Sequence, residues 1–240
     1  MPLSNIDFGN SVVPLSTSGN DAFFLDTNLW VAYLYDKHEK HLACFCLISY
    51  LIKNNVILCY SEVVLVELLN SLARVLYIDD EYLAFETANG IQSHHVKRTK
   101  MNSFKNTWSS RVLKTEPETL KNYSSLALSK IKPAINNAML IESTETVIDE
   151  ILTIPCVVPL GSADFMISTI AINFGCQYIL SIDGDMGIVD DIAVITTAIR
   201  NDSFDVQDML TKLDLIDYLY SELGEADFKA KFPHIAVPTP

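Results

Sequence analysis

The sequence predicts an α/β fold, a central parallel sheet with helices packed on both faces. Three observations lead there. Short apolar runs such as AFFL (Ala22–Leu25) and YILSI (Tyr178–Ile182) alternate with longer segments of helical periodicity. Acidic residues follow two of these runs at once, Asp26 after the first and Asp183 after the second, where parallel sheets bind ligands. The chain has 240 residues, 49% of them apolar, with only 8 glycines and 9 prolines, so it can bury a large core and is not loop-rich.

In chain order, residues 1–20 are rich in Ser and Asn and read as a flexible arm, and 21–240 as a single domain. Ala22–Leu25 reads as a buried strand, Leu29–Tyr35 and His38–Lys53 as helices, and Val56–Cys59 as a second strand. Ser61 is a candidate N-cap for a helix from Glu62 to about Leu76. Residues 79–150 read as a helical insertion, with helices at Asp80–Thr87 and Leu120–Leu152, the latter broken near Pro133. Ile154–Val158 is a strand candidate. Gly161-Ser162 opens a helix to about Phe174 with Gly175 as its C-cap. Tyr178–Ile182 and Ile192–Thr196 read as strands, and an acidic amphipathic helix is expected at about 207–223.

Composition narrows the function. The five cysteines, Cys44, Cys46, Cys59, Cys156 and Cys176, are odd in number and lack zinc spacing, so they read as buried free thiols. No apolar run is long enough to span a bilayer and no basic start precedes an apolar core, which points to a soluble, cytoplasmic protein. The net charge of −13 disfavours a polyanion ligand, yet it is unevenly spread. Between His94 and Lys132 stand Lys97, Arg98, Lys100, Lys105, Arg111, Lys114, Lys121, Lys130 and Lys132, opposed only by Glu116 and Glu118. Nine basic and two acidic residues give that segment +7 and leave −20 on the rest.

Four acids carry the chemical reading: Asp26 and Asp183 at strand ends, Asp164 in the first turn of an apolar helix, and Glu67 among valines and leucines. Clustered carboxylates repel one another unless a cation joins them, and they are hard oxygen ligands suited to Mg2+ or Mn2+. Such a cation can offset phosphate charge and activate water for phosphodiester hydrolysis. Each acid also has a plain structural alternative. Asp26 can cap the following helix, Asp164 can answer a helix dipole, Glu67 can face solvent beside Asn70, Ser71 and Arg74, and Asp183 and Asp185 can be turn residues.

The ordered set resembles a known family. FLDTNLWVAYLYDKHEKH, YSEVVLVELLN, SADFMISTIAINFGCQYILSIDGDMG and IAVIT look like the successive motifs of PIN-domain ribonucleases, including the toxin nucleases of bacterial toxin–antitoxin pairs. The resemblance covers roughly residues 22–77 and 154–197. It implies a PIN-like three-layer α/β/α fold and an endoribonuclease that hydrolyses RNA by a metal-activated water, leaving 5′-phosphate and 3′-hydroxyl ends. Carried over position by position, Asp26, Glu67, Asp164 and Asp183 would be the catalytic metal ligands for Mg2+ or Mn2+, with Asp185 as a further acid. Thr27, Asn28 and Ser181 match small polar positions flanking the metal, and Asn28 and Ser181 are also candidate substrate contacts. An inhibitor or antitoxin protein and a homodimer are compatible with it; a membrane is not.

The chain departs from compact members of that family in the 97 positions that separate Glu67 from Asp164. The excess holds the basic segment, read as an RNA-holding insertion. Lys97, Arg98, Lys100 and Arg111 would contact phosphates, and Trp108, Phe104 or Tyr123 would stack on bases, with a merely basic solvated face as the alternative. His38 and His41 read as surface residues at a helix start, and His94-His95 adjoin the basic segment. Two rival functions stand beside the nuclease: a catalytically silent PIN-like module binding RNA or protein, and an Asp-nucleophile phosphatase. The latter is disfavoured because Asn28 stands where a second Asp is usual.

Overall fold

The computed structural model describes residues 6–7, 21–144, 162–182, 193–196 and 205–237. In order, these form β1 (Ile6–Asp7), β2 (Ala22–Leu25), α1 (Thr27–Leu34), α2 (His41–Lys53), β3 (Ile57–Ser61), α3 (Glu62–Asn89) and α4 (His94–Thr107). A π-helical turn (Trp108–Val112) leads to α5 (Leu113–Thr115) and α6 (Pro117–Ile135). Then follow β4 (Ala138–Ile141), α7 (Ser162–Phe174), β5 (Tyr178–Ser181), β6 (Ala193–Thr196), α8 (Val206–Lys212) and α9 (Ile216–Lys231). The chain divides into two compact units, Met1–Val64 with Asn137–Pro240, and Leu65–Asn136.

The first unit is built on a parallel sheet in the order β1-β6-β5-β2-β3-β4. Its two middle strands are β5 and β2, and in β2 Phe23, Phe24 and Leu25 have no solvent exposure. A strand covered on both faces needs apolar residues at every position, which is why AFFL shows no alternation. Phe23 stacks on Tyr178 of β5 with ring centroids 4.5 Å apart.

From β2 the chain steps outward through β3 to β4, then returns to the other side of β2 for β5 and β6. The connections therefore part between β2 and β5. With the right-handed crossovers such sheets use, α1–α2 and α7 lie on opposite faces. Gly175 ends α7 at φ +83, donating to the Ile172 carbonyl while Cys176 donates to Ala171, both at 2.9 Å. This double bond closes the helix and turns the chain into β5, as Gly175 foretells.

The second unit is helical. Trp108, Val112, Ala127 and Ile131 are buried, and Trp108 and Tyr123 both pack against Tyr77 with centroids 5.4 Å away. The Trp108 indole donates to Asn70 Oδ1 at 3.4 Å and Tyr123 donates to Asp80 Oδ2 at 3.0 Å.

Several expectations change. A helix was expected across 138–141, but Ala138–Ile141 is strand β4, paired with Leu58–Ser61. A four-residue apolar run has no periodicity to tell the two apart, and the open side of β3 decides it. Pro133 lies within α6, near its end, and does not break it. The α3 helix runs to Asn89, past Leu76, because Tyr77, Ile78 and Tyr82 continue its buried stripe. Ile6–Asp7, assigned to a flexible arm, pair with Ile195–Thr196. The single C-terminal helix is two, separated at Asp214 with φ +52. Cys44, Cys46, Cys59 and Cys176 are buried free thiols. Ile154–Val158, Cys156, Asp183 and Asp185 lie outside the described residues. Among the described residues no helix is long and apolar enough to cross a membrane.

Replacing Phe24 by Ala should destabilise the protein by about 3–5 kcal/mol, because a fully buried ring leaves a cavity in the central strand. Urea denaturation measures this; a loss below about 1 kcal/mol would contradict the placement of β2 at the core.

Candidate functional site

Asp26 follows the last residue of β2 and occupies the N-cap position of α1 with extended backbone (φ −69, ψ 154). Its side chain makes no capping hydrogen bond. Instead Oδ2 accepts a 2.8 Å hydrogen bond from the Ser181 hydroxyl at the end of β5, 155 residues away. Asp26 is 2% exposed and Ser181 is fully buried. The Asp26 amide also extends the ladder by donating to the Leu180 carbonyl at 2.9 Å. A buried carboxyl aimed across a strand pair, rather than at its own helix, is not doing a cap's work. It stands at the point where the sheet's connections part, where open α/β sheets form a crevice.

The other predicted residues fall as follows. Asp164 lies in the first turn of α7, half-buried, and its backbone carbonyl accepts from Ser168 Oγ at 2.8 Å. Glu67 lies on α3, half-buried, in the second unit. Asn28 is exposed on the first turn of α1. Ser181, a candidate substrate contact, is closed to solvent, and its hydroxyl donates to Asp26. Asp183 follows two residues after Ser181, and with Asp185 is outside the described residues. Among the described residues, no three His, Cys, Asp or Glu side chains group to hold a metal.

Two residues with roles at these strand ends escaped the sequence reading. Glu62 comes directly after β3, and its carboxylate accepts from the Ser143 amide and hydroxyl, both at 3.3 Å. Its place right after a strand end was the available signal. Lys40 donates from Nζ to the Ile182 carbonyl at 3.3 Å, directly before Asp183. It sits in DKHEKH, where only the histidines drew notice.

Those histidines are not plain surface residues. His41 is 6% exposed. Its Nδ1 lies 2.9 Å from the Ala32 carbonyl, which can only accept, so Nδ1 carries the proton. Its Nε2 then accepts from Lys231 Nζ at 2.8 Å, and that ammonium also stands 4.2 Å over the Phe45 ring. Burial holds the His41 pKa below its usual value, and the Lys231 ammonium pushes the same way. Burial likewise lowers Lys231. The pair borders a cavity of about 520 Å3 lined also by Asp36, Leu42, Leu223, Asp227 and Ala230, which includes none of the predicted site residues.

In the second unit, Lys97, Arg98 and Arg111 are exposed and Lys100 is half-buried. Lys97 stands 5.2 Å over the Tyr82 ring, Lys100 4.8 Å over Phe85, and Arg111 pairs with Glu116. The aromatic expectations shift here. Trp108 is 1% exposed and forms core, so it is closed to bases, and the Tyr123 hydroxyl is engaged by Asp80. Leu65–Asn136 holds ten basic and seven acidic residues, a charge of +3 that leaves −16 on the remainder of the chain.

No protein-family model, curated protein or solved structure matches the chain.

The His41 environment has a pH consequence. An unfolded histidine takes up a proton near pH 6.5, which folded His41 resists. The unfolded state therefore binds more protons as pH falls below about 6.5, and stability drops with it. Urea denaturation of His41→Gln should show a shallower loss of stability between pH 7 and pH 5 than the wild type. Parallel curves would contradict the buried neutral imidazole.

Proposed function

We propose that this protein is a metal-dependent endoribonuclease of the PIN type, with Asp26 at the centre of its site. One observation carries the reading. A carboxyl at the end of the central strand is buried and held by Ser181 from the neighbouring strand, while it leaves its own helix uncapped. Stabilising a buried carboxylate needs partners, and a fixed acid at a sheet's switch point is suited to binding a ligand.

The chemistry of the proposed donors suits Mg2+ or Mn2+. Asp26 offers hard carboxylate oxygen, and its orientation is fixed by a hydroxyl, the kind of outer support that metal ligands receive. Asp183, two residues beyond Ser181, together with Asp164, Glu67 and Asp185, would complete the set that the resemblance assigns. When bound, the cation supplies charge compensation at the phosphate and acidifies water. The chain's own part is to hold that geometry. Ser181 fixes the Asp26 rotamer, and the acids orient the attacking water for in-line displacement. The products would carry 5′-phosphate and 3′-hydroxyl ends.

The charge division supports a nucleic acid substrate. An acidic body repels a polyanion, whereas the +3 unit offers Lys97, Arg98 and Arg111 at its surface for phosphates. These exposed cations are the proposed RNA contacts.

Asp26→Asn should keep the fold, since the amide is isosteric, and reduce Mn2+-dependent RNA cleavage to background. Cleavage by this variant at the wild-type rate, in a gel assay with matched circular dichroism, would sink the proposal. Replacing Lys97, Arg98 and Arg111 together by Ala should raise KM with little change in kcat. It should also reduce the slope of log affinity against log salt by about 2, at about 0.7 per lost phosphate contact on single strands. An unchanged salt slope would remove the basic unit from the binding site.

A further inference from the structure

We propose that the helical unit grips RNA through its phosphates without regard to base, and that Tyr82 and Phe85 are positioning residues that hold Lys97 and Lys100 for that contact. The inference rests on the reading of RNA as substrate above, and not on the metal.

The grip starts from the turn between α3 and α4. Gly90 follows the last residue of α3 at φ +76, a left-handed conformation suited to glycine. Gln92 Nε2 donates to the Asn89 and Gly90 carbonyls at 2.9 and 2.7 Å. Ser93 then caps α4, its hydroxyl accepting from the Val96 amide at 3.5 Å. Beyond this fastened turn, two residues of α4 meet two of α3 in register. Tyr82 and Phe85 share a face of α3, with ring centroids 6.3 Å apart. Lys97 Nζ stands 5.2 Å over the first ring and Lys100 Nζ 4.8 Å over the second. The buried Tyr82 ring is itself fixed, its hydroxyl donating to Glu86 Oε1 at 3.3 Å.

An aromatic face attracts an ammonium through its quadrupole and leaves the outward N–H groups for a phosphate oxygen. A lysine held in this way loses less freedom on binding than one swinging in solvent. The α4 helix carries Lys97, Arg98, Lys100 and Lys105 and no acidic residue, which suits a polyanion. Base stacking, by contrast, needs an open ring face. Tyr77, Tyr82 and Trp108 are buried, Tyr123 packs edge-on against Tyr77 and Trp108, and Phe85 lies under Lys100. Contacts to phosphate position a nucleic acid but carry no sequence information.

Fluorescence polarisation of labelled oligo(A), oligo(U) and oligo(C) of equal length tests this on the full-length protein, with EDTA present so that nothing is cut. The three affinities should be similar; a preference above about tenfold, the size of a base-stacking contact, would overturn base-neutral binding. Phe85→Leu keeps every charge and should weaken all three by about 2–5-fold, the size of an exposed cation–π contact, with Phe85→Tyr recovering it. Its salt slope should match the wild type, whereas Lys100→Gln should lower that slope by about 0.7. Equal binding by Phe85→Leu, while the wild type binds RNA, overturns the positioning role and leaves the RNA reading standing. Phe104→Leu, which removes the half-buried ring on α4, should bind as the wild type does, and a loss there would reinstate base stacking and overturn the inference. Polyglutamate of equal charge binding as tightly as the oligonucleotides would overturn the assignment to RNA in favour of an acidic protein. If the wild type binds no oligonucleotide, the RNA reading fails and this inference with it.

Discussion

The hydrogen bond from Ser181 Oγ to Asp26 Oδ2 joins the two strands at which the sheet's connections part, and it is shut off from water. Removing a buried carboxyl's partner costs about 1–3 kcal/mol, more if the group is charged, so the pair resists drift in either strand. Everything next to it is organised accordingly. Phe23, Phe24 and Leu25 bury β2 completely, which fixes the height at which Asp26 emerges. Ile57–Ser61 and Tyr178–Ser181 flank it in parallel register, so the ends of three strands lie side by side. Glu62 begins directly after Ile57–Ser61.

The two units differ in charge. The sheet-bearing unit carries the buried carboxyl and a net charge of −16, while the helical unit carries +3. For the proposed nuclease such a division would be favourable. Carboxylates suited to a cation repel RNA, and lysines that hold RNA would compete with a cation for those carboxylates if interspersed among them. In the helical unit Trp108, Tyr77 and Tyr123 pack on one another.

What the sequence revealed and concealed follows from the range of the forces involved. The β2 strand was legible because burial on both faces demands a continuous apolar run, and α7 because Gly175 marks its end locally. The β4 strand was not, since AMLI satisfies a helix or a strand equally until β3 offers it a ladder. The break at Asp214 went unseen because no Gly or Pro announces it. Asp26 stood out by following a strand, yet its release from capping depends on Ser181, 155 residues distant. His41 was misjudged for the same reason, because the helix that buries it is contributed by residues 190 positions later. Local pattern locates the acids; distant partners determine what they do.

The central claim is that Asp26 anchors a divalent cation. Crystals soaked in Mn2+ and measured at the manganese absorption edge test it most directly. The account predicts an anomalous peak bonded to the carboxylates of Asp26 and Asp183. A well-ordered Asp26 still bonded to Ser181, with no peak there at millimolar Mn2+, would contradict it.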